Sequence, residues 1–222
     1  MDAATTSQPL QWPLSARLYL PEVWADERAR CRRVRVPEAI ACAATPDLAL
    51  HLLDRASDWG VPFATVVTDA GYGIPSCLRA VDERGLRSVC AVAADFGVRV
   101  PAAMRAAAAA QTQRPSPKRG QPKKPRPAAR HDAQAVTETQ ADEAWQVVQW
   151  REGSQGPLRQ PFLALRVHAG TGCARHSATP GRSWTGPQGW LLGERPLPGV
   201  DGEPKWFFSS LPADTPLARL VA

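Results

Sequence analysis

The sequence predicts an α/β protein in which a mainly parallel sheet is followed, beyond a basic proline-rich tract, by a β-rich segment. Three observations carry that expectation. Thr65-Val-Val-Thr68 and Ser88-Val-Cys-Ala-Val92 are short apolar runs, and a helical segment opened by Pro75 lies between them. Branched side chains suit a pleated surface, and strand, helix, strand with Gly and Pro at the joints is a parallel βαβ unit. From Arg114 to Pro127 five prolines then exclude regular helix or sheet. Beyond Ala141, strand-like runs are separated by Gly and Pro, as in an antiparallel meander.

Taken in order, Arg17-Leu-Tyr-Leu20 reads as a short strand stopped by Pro21, and a charged helical segment runs from Glu22 to about Arg33. Thr45 has the character of an N-cap with Pro46 at the first helical position. Leu48, Leu52, Leu53 and Ala56 then recur at helical spacing, which gives an amphipathic helix over 46–59. Asp69 ends the next strand, and Gly71 and Gly73 let the chain turn sharply there. Ligands of open α/β sheets collect at this end of the strands, so Asp69 is a candidate functional carboxylate. The bland alternative is an aspartate that caps its own turn. The helix from Pro75 runs to about Gly85. Strands are expected at Trp145–Trp150, Phe162–His168, Gly189–Arg195 and Lys205–Leu211, with Trp150, Trp190, Trp206 and Phe207 as their core. A last helix opens at Thr215-Pro216. The implied divisions are a first unit over 1–105, a basic linker over 106–140, a β-rich segment over 141–211 and the start of a helix over 212–222.

The charge is unevenly placed. The net charge is +6, and Arg114, Lys118, Arg119, Lys123, Lys124, Arg126 and Arg130 stand close together with no acidic residue among them. Without these seven the acidic residues slightly outnumber the basic ones, so the positive excess belongs to one tract. A tract of this kind grips phosphate backbones without sequence preference, or serves only as a solvated spacer. The five cysteines are scattered and never form Cys-x-x-Cys, which suits a reducing, cytoplasmic setting better than a disulfide framework. Cys173 and His176 are half of a zinc site with no second half. No apolar run is long enough to cross a bilayer, and the N-terminus is not a signal peptide.

Several segments together resemble a bacterial insertion-sequence transposase of the DDE superfamily endonuclease type. They are Ser15–Trp24, Val67-Thr-Asp-Ala-Gly-Tyr-Gly73, Ala144–Gly153, Gly189–Arg195 and Ser210–Thr215, which keep the family's order over most of residues 12–222. The resemblance implies a partial RNase H-like core interrupted by a β-rich insertion, entered near residue 105. It also implies two magnesium ions, held by two aspartates and a glutamate, that serve an in-line phosphodiester exchange at insertion-sequence ends. Asp69 matches the second aspartate, and Tyr72 would line the approach to the metals.

The other two carboxylates do not carry over. The first belongs upstream of Arg17–Leu20, where Asp2 has no strand around it, and the glutamate belongs on the helix opening at Thr215, past Ala222. The resemblance therefore implies a transposase truncated at both ends, inactive alone, with the Asp69 strand left at an unpaired sheet edge. The alternative is a non-catalytic protein that binds DNA through Arg114, Lys118, Arg119, Lys123, Lys124 and Arg126, or that dimerises with an intact transposase and interferes with it. An unrelated α/β hydrolase has little support, since the chain lacks Gly-x-Ser-x-Gly, a P-loop and a dinucleotide fingerprint. Asp82 and Glu83 read as solvated helix charges, whereas Asp95 follows a strand and is the better companion for Asp69.

Overall fold

The computed structural model describes residues 12–101, 130–153, 156–170 and 186–221. The tract from Arg114 to Arg126 lies outside these residues, as do Cys173 and His176. The chain divides into two compact units, Met1–Phe63 and Ala64–Ala222.

In the first unit α1 (Glu22–Asp26) and α2 (Arg28–Arg33) are separated by a single residue, Glu27, and α3 spans Thr45–Asp58. The guanidinium of Arg30 lies 4.0 Å from the centroid of the Trp24 ring. The Cys31 thiol is fully buried and donates to the Trp24 carbonyl at 3.0 Å. In α3 the N-cap is Ala44, and Thr45 is already helical with Pro46 beside it in the first turn. Leu48 and Ala56 are its buried residues. The strand expected at Arg17–Leu20 is absent: these residues have no regular structure, although Leu20 is buried at 3% exposure. A single anchoring side chain gives burial but no ladder, and Pro21 stops the segment before one forms.

The second unit is built on one eight-stranded mixed sheet. Its first part is the expected βαβ unit: β1 (Thr65–Thr68), α4 (Pro75–Glu83) and β2 (Arg87–Val92), with β1 and β2 parallel from Thr65↔Arg87 to Thr68↔Cys90. Next come β3 (Gly97–Arg99), β4 (His131–Asp132), α5 (Ala133–Glu138) and a 3-10 turn at Asp142–Ala144. The remainder comprises β5 (Gln146–Gly153), β6 (Gly156–Ala169), β7 (Gln188–Glu194), β8 (Lys205–Ser209) and α6 (Leu217–Val221). The strand order is β1-β2-β8-β7-β6-β3-β4, with β5 paired to β6. The β-rich strands thus extend the same sheet, because β8 lies antiparallel to β2 through Val89↔Ser209 and Val92↔Trp206.

Residues that alternate along these strands explain where the core sits. Directly opposed partners share a face, so Cys90, Phe208 and Leu191 lie on one side, as do Val92 and Trp206. That side is covered by Leu78 from α4 and by Ala133 and Val136 from α5, and Phe96, Val98, Val167 and Ala169 complete the cluster. Phe96 packs against Phe208 with ring centroids 5.8 Å apart. His131–Glu138, the last part of the stretch read as a linker, therefore contributes directly to the core. Trp150, Trp190, Trp206 and Phe207 are only half-buried, and the deepest positions belong to Leu191, Val98, Val167 and Phe208. β1 is the terminal strand of the described sheet: Val66 faces inward at 8% exposure, whereas Val67 is 75% exposed.

Candidate active site

Asp69 stands immediately after β1, at the end of the sheet where the two parallel strands leave their ladder. Its carboxylate is exposed, and one oxygen, Oδ1, accepts the Gly71 N–H at 3.0 Å. The Asp69 carbonyl accepts the Tyr72 N–H at 3.2 Å, which closes the turn. This local bonding is typical of aspartate in turns and fixes one oxygen of the carboxylate. Gly73 then passes so close to β2 that a Cβ there would run into the Ala91 carbonyl oxygen. Glycine is required at that point by a close backbone approach, and the approach seats the Asp69 turn on β2.

Beside the turn lies an apolar depression of about 250 Å³, lined by Ala70, Ala91, Val92, Ala94, Pro204, Lys205, Trp206 and Phe207. Residues some 135 positions apart meet here because β8 pairs with β2. Lys205 and Trp206 were not singled out as neighbours of Asp69, and no local pattern could have revealed them. Tyr72 is half-buried beside the same turn. Asp95 lies in a turn three residues beyond the end of β2, and its carbonyl accepts an N–H from Arg130 at 2.7 Å. Asp82 and Glu83 are exposed at the end of α4, as expected of solvated charges.

Among the described residues, no three His, Cys, Asp or Glu side chains come together as a metal-binding group. Asp69, with one oxygen already held by Gly71, does not by itself fit a two-metal centre. The DNA-contacting residues expected at Arg114, Lys118, Arg119, Lys123, Lys124 and Arg126 fall outside the described residues.

The sheet is mixed, and Asp69 stands at the end of its parallel strand β1. The family model of the DDE superfamily endonucleases matches residues 2–157, a span that holds Asp69, α4, the first four strands and β5. The chain belongs to that family. No curated protein matches it. The mixed α/β sheet is consistent with the RNase H-like fold of DDE endonucleases. Among the described residues, no helix is long and apolar enough to cross a membrane.

Proposed function

We propose that this chain is a DDE-type transposase whose substrate is DNA, that Asp69 is its metal-holding carboxylate, and that the family reaction is magnesium-dependent cleavage and transfer of insertion-sequence ends. The observation that carries this reading is the placement of Asp69. It is an exposed carboxylate at the end of a parallel strand, in a turn pressed onto the neighbouring strand, within a chain of an endonuclease family. Divalent metal is the family's general requirement, and a single carboxylate needs further ligands to hold it. The basic residues Arg114 to Arg126 would hold the DNA backbone, in a linker between the strands of the first part and the β-rich part. The test is cleavage of a labelled duplex carrying a candidate insertion-sequence end, with and without magnesium, by the wild-type chain and by Asp69→Asn. Magnesium-dependent nicking that disappears in the variant supports the assignment. Nicking that survives Asp69→Asn refutes it.

One observation favours a second reading, DNA binding without cleavage, either alone or in a dimer with an intact transposase. Among the described residues no three His, Cys, Asp or Glu side chains, Asp69 included, group into a metal site. On this reading DNA affinity falls steeply with salt and is indifferent to Asp69→Ala. Neutralising the six basic residues would lower the slope of log K against log salt by about 5, from roughly 0.9 per phosphate contact. An unchanged slope would count against the tract as the DNA-binding element.

A further inference from the structure

The first unit, Met1–Phe63, carries seven basic and eight acidic residues, a balance that conceals how they are placed. Five arginines fall within Arg28–Arg35, and no acidic residue stands among them. Two of the five serve the fold. Arg28 Nη1 donates to the Ile40 carbonyl at 3.0 Å, and Arg30 lies over the Trp24 ring with its Nη1 3.9 Å from Glu27 Oε2. Arg32, Arg33 and Arg35 are exposed, and among the described residues no carboxylate pairs with them. The backbone beneath these three is fixed. α2 ends at Arg33 with Val34 as its C-cap, and Arg35 follows in the left-handed region at φ 59°. The N–H groups of Val34, Arg35 and Val36 donate to the carbonyls of Arg30, Arg32 and Cys31 at 3.3, 3.1 and 2.9 Å. This is a Schellman cap, whose left-handed position normally belongs to glycine. Cys31 is buried, so the cap stands on the interior of its unit.

We propose that Arg32, Arg33 and Arg35 form a second contact with the DNA phosphate backbone, on the first unit and apart in sequence from the tract at Arg114–Arg126. The inference rests on the DNA reading above and adds an interaction surface to it. A guanidinium presents a planar fork that donates two N–H bonds to one phosphate, and a backbone already held by the cap confines the ordering cost to the side chains. The end of a helix ordinarily repels an anion through its unsatisfied carbonyls. Here the carbonyls of Arg30, Cys31 and Arg32 are all taken by the cap, so that objection falls. Attraction to the helix dipole would account for basic residues at Arg32 and Arg33 but not for Arg35. Arg35 is the one non-glycine residue with positive φ among the described residues, and glycine would adopt that conformation without strain. A charged side chain held at such a cost points to a use for the charge. Val34 and Val36 flank Arg35 and offer no polar side-chain atoms to base edges, so the contact is with phosphate and independent of sequence.

The test is a fluorescence-anisotropy titration of the full chain with two labelled duplexes of unrelated sequence, at salt from about 50 to about 200 mM. Combining Arg32→Gln, Arg33→Gln and Arg35→Gln should lower the slope of log K against log salt by about 2.7 for both duplexes. Over that range the wild-type affinity should then fall roughly fortyfold further than the variant's. Arg35→Gly separates binding from structure and keeps the test decisive if the triple variant unfolds. It removes one contact and relieves the left-handed strain, so the slope should drop by about 0.9 while Tm holds or rises by about 2–4 °C. A folded triple variant with the wild-type slope, a change confined to one duplex, or Arg35→Gly with an unaltered slope overturns the patch and leaves the DNA reading standing. A wild-type chain that holds neither duplex overturns both.

Discussion

Replacing Gly73 by alanine would test how the Asp69 turn is held. The added Cβ would meet the Ala91 carbonyl oxygen, with Val92 Cγ1 at 2.9 Å and the Ala91 carbonyl carbon at 3.0 Å. These are atoms of β2, which is laddered to β1 on one side and to β8 on the other, so the strand has no room to retreat. The turn must lift instead. Overpacking of this kind costs roughly 1–3 kcal/mol, offset by about 0.4–1 kcal/mol because alanine stiffens the unfolded chain. A net loss of about 1–2 kcal/mol lowers Tm by roughly 2–8 °C in a chain of this size. Gly71→Ala, two residues away, is the control. Its nearest neighbour is the Asp69 Oδ1 atom at 3.2 Å, the end of a side chain that can shift, so its Tm should stay within about 2 °C. Thermal melts followed by circular dichroism would compare the two. Equal melting temperatures would refute the claim that the turn is seated on β2 by backbone contact.

Other outcomes follow from the packing and the thiols. Phe208→Ala removes a ring that is 1% exposed at the centre of the core and should cost about 3–5 kcal/mol in chemical denaturation. Trp206→Phe deletes the hydrogen bond to Thr137 and should cost about 1 kcal/mol, and a double-mutant cycle with Thr137→Val would show the two losses to be coupled. Burial pushes the Cys90 thiol above its ordinary 9.0, against the lowering effect of hydrogen bonds with Thr68 and Ser88. Its folded pKa exceeds its unfolded one, so its contribution to stability is complete below that ordinary value and declines as pH rises through the folded one. In a thiol-labelling time course at pH 8, exposed Cys42 should react promptly while Cys90 waits for opening of the fold.

The βαβ unit could be read from the sequence because each of its signals is local. Branched residues at Thr65–Thr68, a proline opening α4 and an apolar run at Ser88–Val92 fix the elements without reference to the rest of the chain. Asp69 was legible for the same reason. Features that depend on distant partners were not. The pairing of β2 with β8 leaves no periodicity in either strand, so the Lys205–Trp206 wall beside Ala70 was hidden. β6 begins at Gly156, well before the expected Phe162, because Pro157 and Pro161 disguise its first half. Both prolines sit in the β5–β6 ladder, opposite Glu152 and Val147, where a missing N–H is tolerated if it points away from a partner. α5 is only six residues long, and its alanine and valine gave too little pattern to stand out from the polar tract before it.

The pairing of β2 with β8 also has a consequence during synthesis. β2 leaves the ribosome with one side satisfied by β1, while the strand that closes its other side is still about 110 residues from being made. At roughly 5–20 residues per second, that side of Arg87–Val92 stays open for about 5–20 seconds in every newly made chain. An unpaired strand edge is a site for pairing with other chains, and slower translation would lengthen the exposure of this one.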